Sequence, residues 1–266
     1  MRSAAINRLK LRLILAALLA TLASCGPPAD RVLEETVEQL YTIEPTANVT
    51  IRNRDGAILV YGSNVNQMRV RAIKRAYTRQ RLRQIVVGVS VQQGSISIDT
   101  RFPAKKKWGL FERSGTVDYT IVIPASATIS QLNLDAGEVL LDGLRGPATR
   151  AQLGDGRMFA HNCFTDFDLA MLHGTLTLSY DWWEQRKFSA KAHIAQGNAW
   201  AFLPTAAAFH LFAETPHGKI VNDFDNTDTS PFTKVPKIDM LVNGGGQATI
   251  KMHVINGNIK IVEANP

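Results

Sequence analysis

The chain has 266 residues, of which 45% are hydrophobic, 8% aromatic and 20% charged. That composition excludes a disordered or collagen-like chain, and the length allows one large domain or two small ones. The formal net charge of +7 points toward nucleic acid only until its placement along the chain is considered.

Arg2, Arg8, Lys10 and Arg12 open the sequence, and Leu13 to Ser24 is an uncharged, mostly apolar run of 12 residues. As a helix it would span about 18 Å, too short for a hydrocarbon core of about 30 Å. A basic start followed by a short apolar run reads as a secretory signal over residues 1–24. Leu22-Ala23-Ser24-Cys25-Gly26 resembles the lipobox of bacterial lipoproteins. The resemblance implies cleavage before Cys25, a diacylglycerol on its thiol and an acylated amine, leaving residues 25–31 as a lipidated tether. More than one acyl chain gives stable anchoring. Gly26, where lipoproteins retained in the inner membrane typically carry aspartate, implies the outer membrane, with the leaflet face left open. Cleavage leaves 242 residues and removes four basic ones, so the charge falls from +7 to +3. Export also removes nucleic acid as a partner.

After Gly26-Pro27-Pro28, residues 30–40 fit either an amphipathic helix or a strand. Arg69 and Arg71 alternate with Met68, Val70 and Ala72, so both leave one face of a strand. Residues 78–84 fit a short helical turn. From Arg69 to Lys107 eleven basic residues face one acid, Asp99, and the rest of the mature chain is acidic. Lys105, Lys106 and Lys107 fall in a loop beside Trp108. This segment could meet anionic lipid headgroups, lipopolysaccharide or acidic polysaccharide, or be a solvated face. Strand alternation continues in Val117–Ile123, Phe188–Ile194 and Ala248–Val254.

A repeat runs through these strands. Gly56, Gly94, Gly137, Gly156, Gly174, Gly197, Gly218 and Gly257 each precede a strand-like segment, and fifteen of the sixteen residues two and four positions later are apolar, Asn222 being the exception. A turn glycine with positive φ launching a strand onto a common core explains that phase. From Gly137 to Gly218 the spacings are 19, 18, 23 and 21. A period near twenty suits one coil of a solenoid; a β-sandwich, the alternative, turns every 8–12 residues. No linker breaks the chain, so residues 32–264 are expected to form one all-β domain.

Three segments carry a family resemblance: Asn48 to Gly62, Val117 to Pro124 with its closing proline, and Ile255 to Ile261, with the Gly244-Gly245-Gly246 cluster between. In their order they resemble the bacterial putative-adhesin family of toastrack-like β-repeat domains. The resemblance implies a right-handed, single-stranded β-helix-like fold and supplies no catalytic motif.

The residues themselves supply none either. There is no nucleophile elbow, phosphate-binding loop, His-Glu-x-x-His or Cys-x-x-Cys, and no cofactor or metal is expected. Metal binding would require dispersed histidines such as His161 and His173 to converge. Asp135, Asp142, Asp155, Asp166, Asp168, Asp223 and Asp225 could pair as in carbohydrate-active β-helix enzymes, but fit turns and outward positions. Cys163, the one thiol left after acylation, reads as a small buried residue.

If the coils stack in register, Leu140, Phe159, Thr177, Trp200 and Val221 form an outward column, extended by His161 and Phe202, with Trp182 and Trp183 in a neighbouring loop. Exposed aromatics on a rigid sheet suit sugar stacking or protein contact. The candidate interaction surface is thus Phe159, Trp200, Phe202, Trp182 and Trp183, with Arg69, Arg71 and Lys105–Lys107. The expected function is non-enzymatic adhesion or macromolecular interaction by a lipid-anchored envelope protein. Its expected partners are the membrane, through the lipid on Cys25, and an envelope protein or anionic glycan or lipid headgroup. A carbohydrate-active enzyme and an envelope-stress sensing or assembly factor are the alternatives.

Overall fold

A computed structural model describes residues 32–103, 115–225 and 237–264. Cys25 and Lys105–Lys107 lie outside them. The first half of the described chain contains β1 (Leu33–Thr42), β2 (Asn48–Ser63), β3 (Gln67–Ala76), helix α1 (Arg79–Gln84), β4 (Val86–Gln92), β5 (Ser95–Arg101) and β6 (Thr116–Pro124). The second half contains β7 (Thr128–Asp142), β8 (Ala148–His161), β9 (Asp166–Ser179), β10 (Phe188–Pro204), β11 (Phe209–Glu214), β12 (Ile220–Asn222), β13 (Lys237–Val242) and β14 (Ala248–Ala264). The fold is all-β. Residues 30–40, open between helix and strand in the sequence, belong to a strand from Leu33 onward, and the short helix falls where residues 78–84 suggested it.

The six long strands β2, β7, β8, β9, β10 and β14 pair parallel and in register. This is solenoid pairing; the sandwich alternative would be built from antiparallel hairpins. In each strand one glycine marks the same height: Gly56 faces Gly137, then Gly156, Gly174, Gly197 and Gly257. All six have φ between +123° and +144°. These glycines lie inside their strands rather than ahead of them, correcting the expectation of a turn that launches a strand. The positive φ inverts the alternation. In β8, Thr149, Ala151 and Leu153 are buried before Gly156, whereas Met158 and Ala160 are buried after it. The odd-to-even switch aims both halves of the bent strand at one interior, and it repeats along the stack in one continuous core.

The glycines are required by their neighbours as well as by φ. A Cβ on Gly137, Gly156, Gly174, Gly197 or Gly257 would sit 1.6–1.9 Å from the carbonyl oxygen of the glycine on the preceding strand. Gly94 stands apart, in the turn of the antiparallel β4–β5 pair. Gly218 packs on Gly257 but has no positive φ among the described glycines.

Coil order in space departs from coil order in sequence. β14 inserts between β10 and the short coil made by β11 and β12, both of which pair parallel with β14. At the other end β5 and β6 form a split coil on the two halves of β2. Antiparallel strands close both ends: β4 on β5, β3 on β6 with β1 on β3, and β13 on β11. Parallel coils alone would leave open edges. The split coil explains Asn53, buried where later coils carry Leu134, Leu153 and Met171. Its amide donates to the carbonyl of Val117, 2.8 Å away, at the start of β6.

Gly156→Ala should lower stability by about 3 kcal/mol or more, combining backbone strain with a backbone clash. Gly88→Ala, where the nearest atom to a new Cβ is 3.7 Å away, should be neutral or stabilising by under about 1 kcal/mol. Urea denaturation of both variants measures the contrast; equal midpoints would show that the stacked glycines do not constrain the coil.

Candidate interaction surface

The outward column exists, with one correction. Leu59, Leu140, Phe159, Thr177 and Trp200 are neighbours across β2, β7, β8, β9 and β10. Lys260 of β14 then separates Trp200 from Val221, because β14 is spatially inserted. Trp200 and Val221 are 40% and 49% exposed; Leu140, Phe159 and Thr177 are half-buried. A second column two residues further on holds Tyr61, Asp142, His161, Ser179 and Phe202. The columns touch through rings: Phe159 stacks on His161 at 5.9 Å, and Trp200 meets Phe202 edge-on at 6.4 Å.

His161 links three strand ends. Its Nδ1 lies 3.0 Å from Asp142 and its Nε2 3.0 Å from Asp181. The two carboxylates take opposite ring nitrogens, so they do not converge on one ion. His173 pairs separately with Asp155 at 2.9 Å, and the two histidines are not brought together. Asp181 titrates below the ordinary aspartate range because the Asn162 amide and His161 bond its charged form. That stabilisation is present above the ordinary range and is lost as pH falls through the lowered value. Of the remaining acids, Asp166 accepts from the Ser189 amide at 2.8 Å, and Asp168 faces Arg150 and Lys191 across the ladder.

Trp182 and Trp183 divide. Trp183 packs against the core, its ring 5.5–5.6 Å from Tyr180, Phe188 and Phe209. Phe164 joins them, its ring 5.2 Å from Tyr180, 5.8 Å from Phe188 and 6.4 Å from Trp183. Trp182 is 46% exposed, and its indole donates to Glu184 at 3.2 Å. Burial raises the Glu184 pKa, but bonds from Arg145 and Trp182 outweigh it and leave the net value lowered. Cys163 is buried beside this cluster, accepting from the Leu144 amide and donating to the His161 carbonyl. Burial pushes its thiol up to about 12.

The basic strand has counter-ions that sequence reasoning missed. β1 lies antiparallel to β3 and sets Glu34, Glu35 and Glu38 opposite Arg75, Lys74 and Arg71. Lys74, nearly buried, meets Glu35 at 2.7 Å; Arg75 bonds Glu34 at 2.6 Å and also Asp118; Arg69 approaches Glu38 at 3.8 Å. Arg69 and Arg71 are exposed but lie beside an acidic strand. The available signal was the opposite charge of two strand-like segments, at 34–38 and 69–75.

No family model and no curated protein matches the chain. Among solved structures, a putative cell adhesion protein from Clostridium sporogenes has a TM-score of 0.54 at 13% identity, covering 86% of this chain and 100% of that one. The two share a fold. A putative lipid binding protein from Parabacteroides distasonis has a TM-score of 0.37 at 12% identity, and a putative adhesin from Bacteroides fragilis 0.26 at 9%; each comparison covers 86% of this chain and 97% of the other.

Two measurements check these placements. Cys163 should resist a thiol reagent at pH 8 in the native protein and react once urea unfolds it. Trp183→Ala should cost about 3 kcal/mol in urea denaturation, against under about 1 kcal/mol for Trp200→Ala.

Proposed function

We propose that this chain is a non-enzymatic, lipid-anchored protein of the bacterial envelope that acts in adhesion or macromolecular interaction through its repeat surface. The observation that carries the reading is the outward apolar and aromatic column, held in register on a rigid bent sheet and open to solvent at Trp200 and Val221. A rigid face of this kind presents rings at little entropic cost to a binding partner. The fold shared with a putative cell adhesion protein supports the reading, as does the family resemblance of the repeat. The lipobox at Cys25 supports the anchor, and Gly26 favours the outer membrane. Among the described residues, no helix is long and apolar enough to cross a membrane.

The partner is an envelope protein or an anionic envelope glycan. Crosslinking in cells followed by pull-down should capture it with the wild-type chain. Trp200→Ser with Phe202→Ser should reduce capture about tenfold or more, as expected for central aromatic contacts, while changing stability by about 1 kcal/mol per residue. A large stability loss with unchanged capture would overturn the binding face. For the anchor, Cys25→Ala should abolish palmitate incorporation; unchanged labelling would overturn it.

A further inference from the structure

The start of β1 and the basic helix occupy the same end of the molecule. Leu33 pairs with Ala76 at the end of β3, three residues before Arg79 opens α1, and α1 touches β1. Thr78 caps the helix by accepting from the Arg81 amide at 3.1 Å, and buried Leu82 and Ile85 fix it to the core. That leaves Arg79 and Arg83 exposed. Beyond the helix, β4 begins at Val86, whose partner on β5 is the exposed Arg101. Val86 is itself 45% exposed.

Among the described residues, Arg79, Arg83 and Arg101 have no acidic partner. The nearby acids are already engaged: Glu34 and Asp118 by Arg75, Glu35 by Lys74, and Asp99 by Arg52. Arg79 and Arg83, one helical turn apart, and Arg101, opposite the exposed Val86, are unpaired guanidiniums that an anionic interface would complete. Chain length supplies the occupant. Seven residues lie between Cys25 and Leu33, so the eight Cα-to-Cα steps of a fully extended tether reach at most about 29 Å. An acylated Cys25 therefore holds this end of the sheet beside the bilayer.

We infer that Arg79, Arg83 and Arg101 dock on anionic phospholipid headgroups of the membrane that holds Cys25, orienting the stacked coils on the bilayer; this rests on the lipid-anchor reading above. The acyl chains supply attachment, and the arginines select among the orientations that the tether permits.

The test uses the lipidated chain, purified from cells and reconstituted into vesicles of phosphatidylcholine with or without phosphatidylglycerol. An environment-sensitive fluorophore is placed on Gln84→Cys beside the arginines, or on Leu241→Cys on β13 at the opposite end of the sheet; the buried Cys163 stays unlabelled. The Gln84→Cys probe should shift to the blue only on phosphatidylglycerol vesicles, and the Leu241→Cys probe should not. Arg79→Gln with Arg83→Gln should lower the docked-to-undocked ratio about fivefold per arginine, and added salt should act in the same direction. Identical emission from the Gln84→Cys probe on both vesicles, or a shift that survives both substitutions, would overturn the docking while leaving the anchor intact. A chain that carries no palmitate and floats with neither vesicle would overturn the anchor reading, and this inference with it.

Discussion

The stacked glycines are the constraint on which the remaining architecture depends. Each bent strand places a carbonyl oxygen where a Cβ of the next strand would otherwise sit, 1.6–1.9 Å away. Such closeness is compatible only with glycine, and the shared positive φ requires the same residue independently. Because the bends coincide, the side chains flanking them fall into columns, broken only by register shifts near the starts of β2 and β7. Leu134, Leu153, Met171, Ile194 and Val254 line up three residues before the bend, and Leu140, Phe159 and Trp200 line up three residues after it. The buried columns and the exposed one are thus two consequences of one backbone geometry.

A stack of parallel coils has two ends, and both are closed by a change of pairing. β5 and β6 divide one coil between them, β11 and β12 divide another, and antiparallel strands finish each. The cost appears as buried polarity where the split coil leaves a carbonyl without its continuation. Asn53 takes the place of an aliphatic residue there and satisfies Val117 through its amide. Insertion of β14 before the β11–β12 coil belongs to the same closing arrangement, since its full-length strand supplies a partner for both short ones.

Periodicity made the coil legible in the sequence. A glycine every twenty or so residues, with apolar residues two and four positions later, reports the bend and its inward phase without reference to partners. Coil order was not legible, because Gly197 precedes Gly218 and Gly257 with similar patterns after each, and nothing local distinguishes which one stacks next. That ambiguity placed Val221 beside Trp200, a position that Lys260 occupies. Trp183 was grouped with the exposed Trp182 for a related reason: its loop has no alternation to assign a face, and only its packing on Tyr180, Phe188 and Phe209 shows that it turns inward. The acidic partners of Lys74 and Arg75 were hidden by an ambiguous first segment, whose strand character comes from its pairing with β3 rather than from its own pattern.

In-register stacking also turns charge order along the chain into charge order in space. Neighbouring strands lie about 4.8 Å apart, so residues early in the sequence are confined to one end of the sheet and cannot mix with the acidic coils. Pairing then decides which early charges count. Lys74 and Arg75 are consumed by β1 and β6, whereas Arg79 and Arg83 follow that ladder on α1 and Arg101 ends β5, none with an acidic partner among the described residues. The net charge of +7 reported neither fact. Under the proposed anchoring, the uncompensated charge and the lipid share one end of the sheet because both derive from the N-terminal part of a chain that stacks largely in order. The exposed Trp200 lies on β10, seven strands along that sheet from β1, so docking of the arginines would hold it away from the bilayer surface.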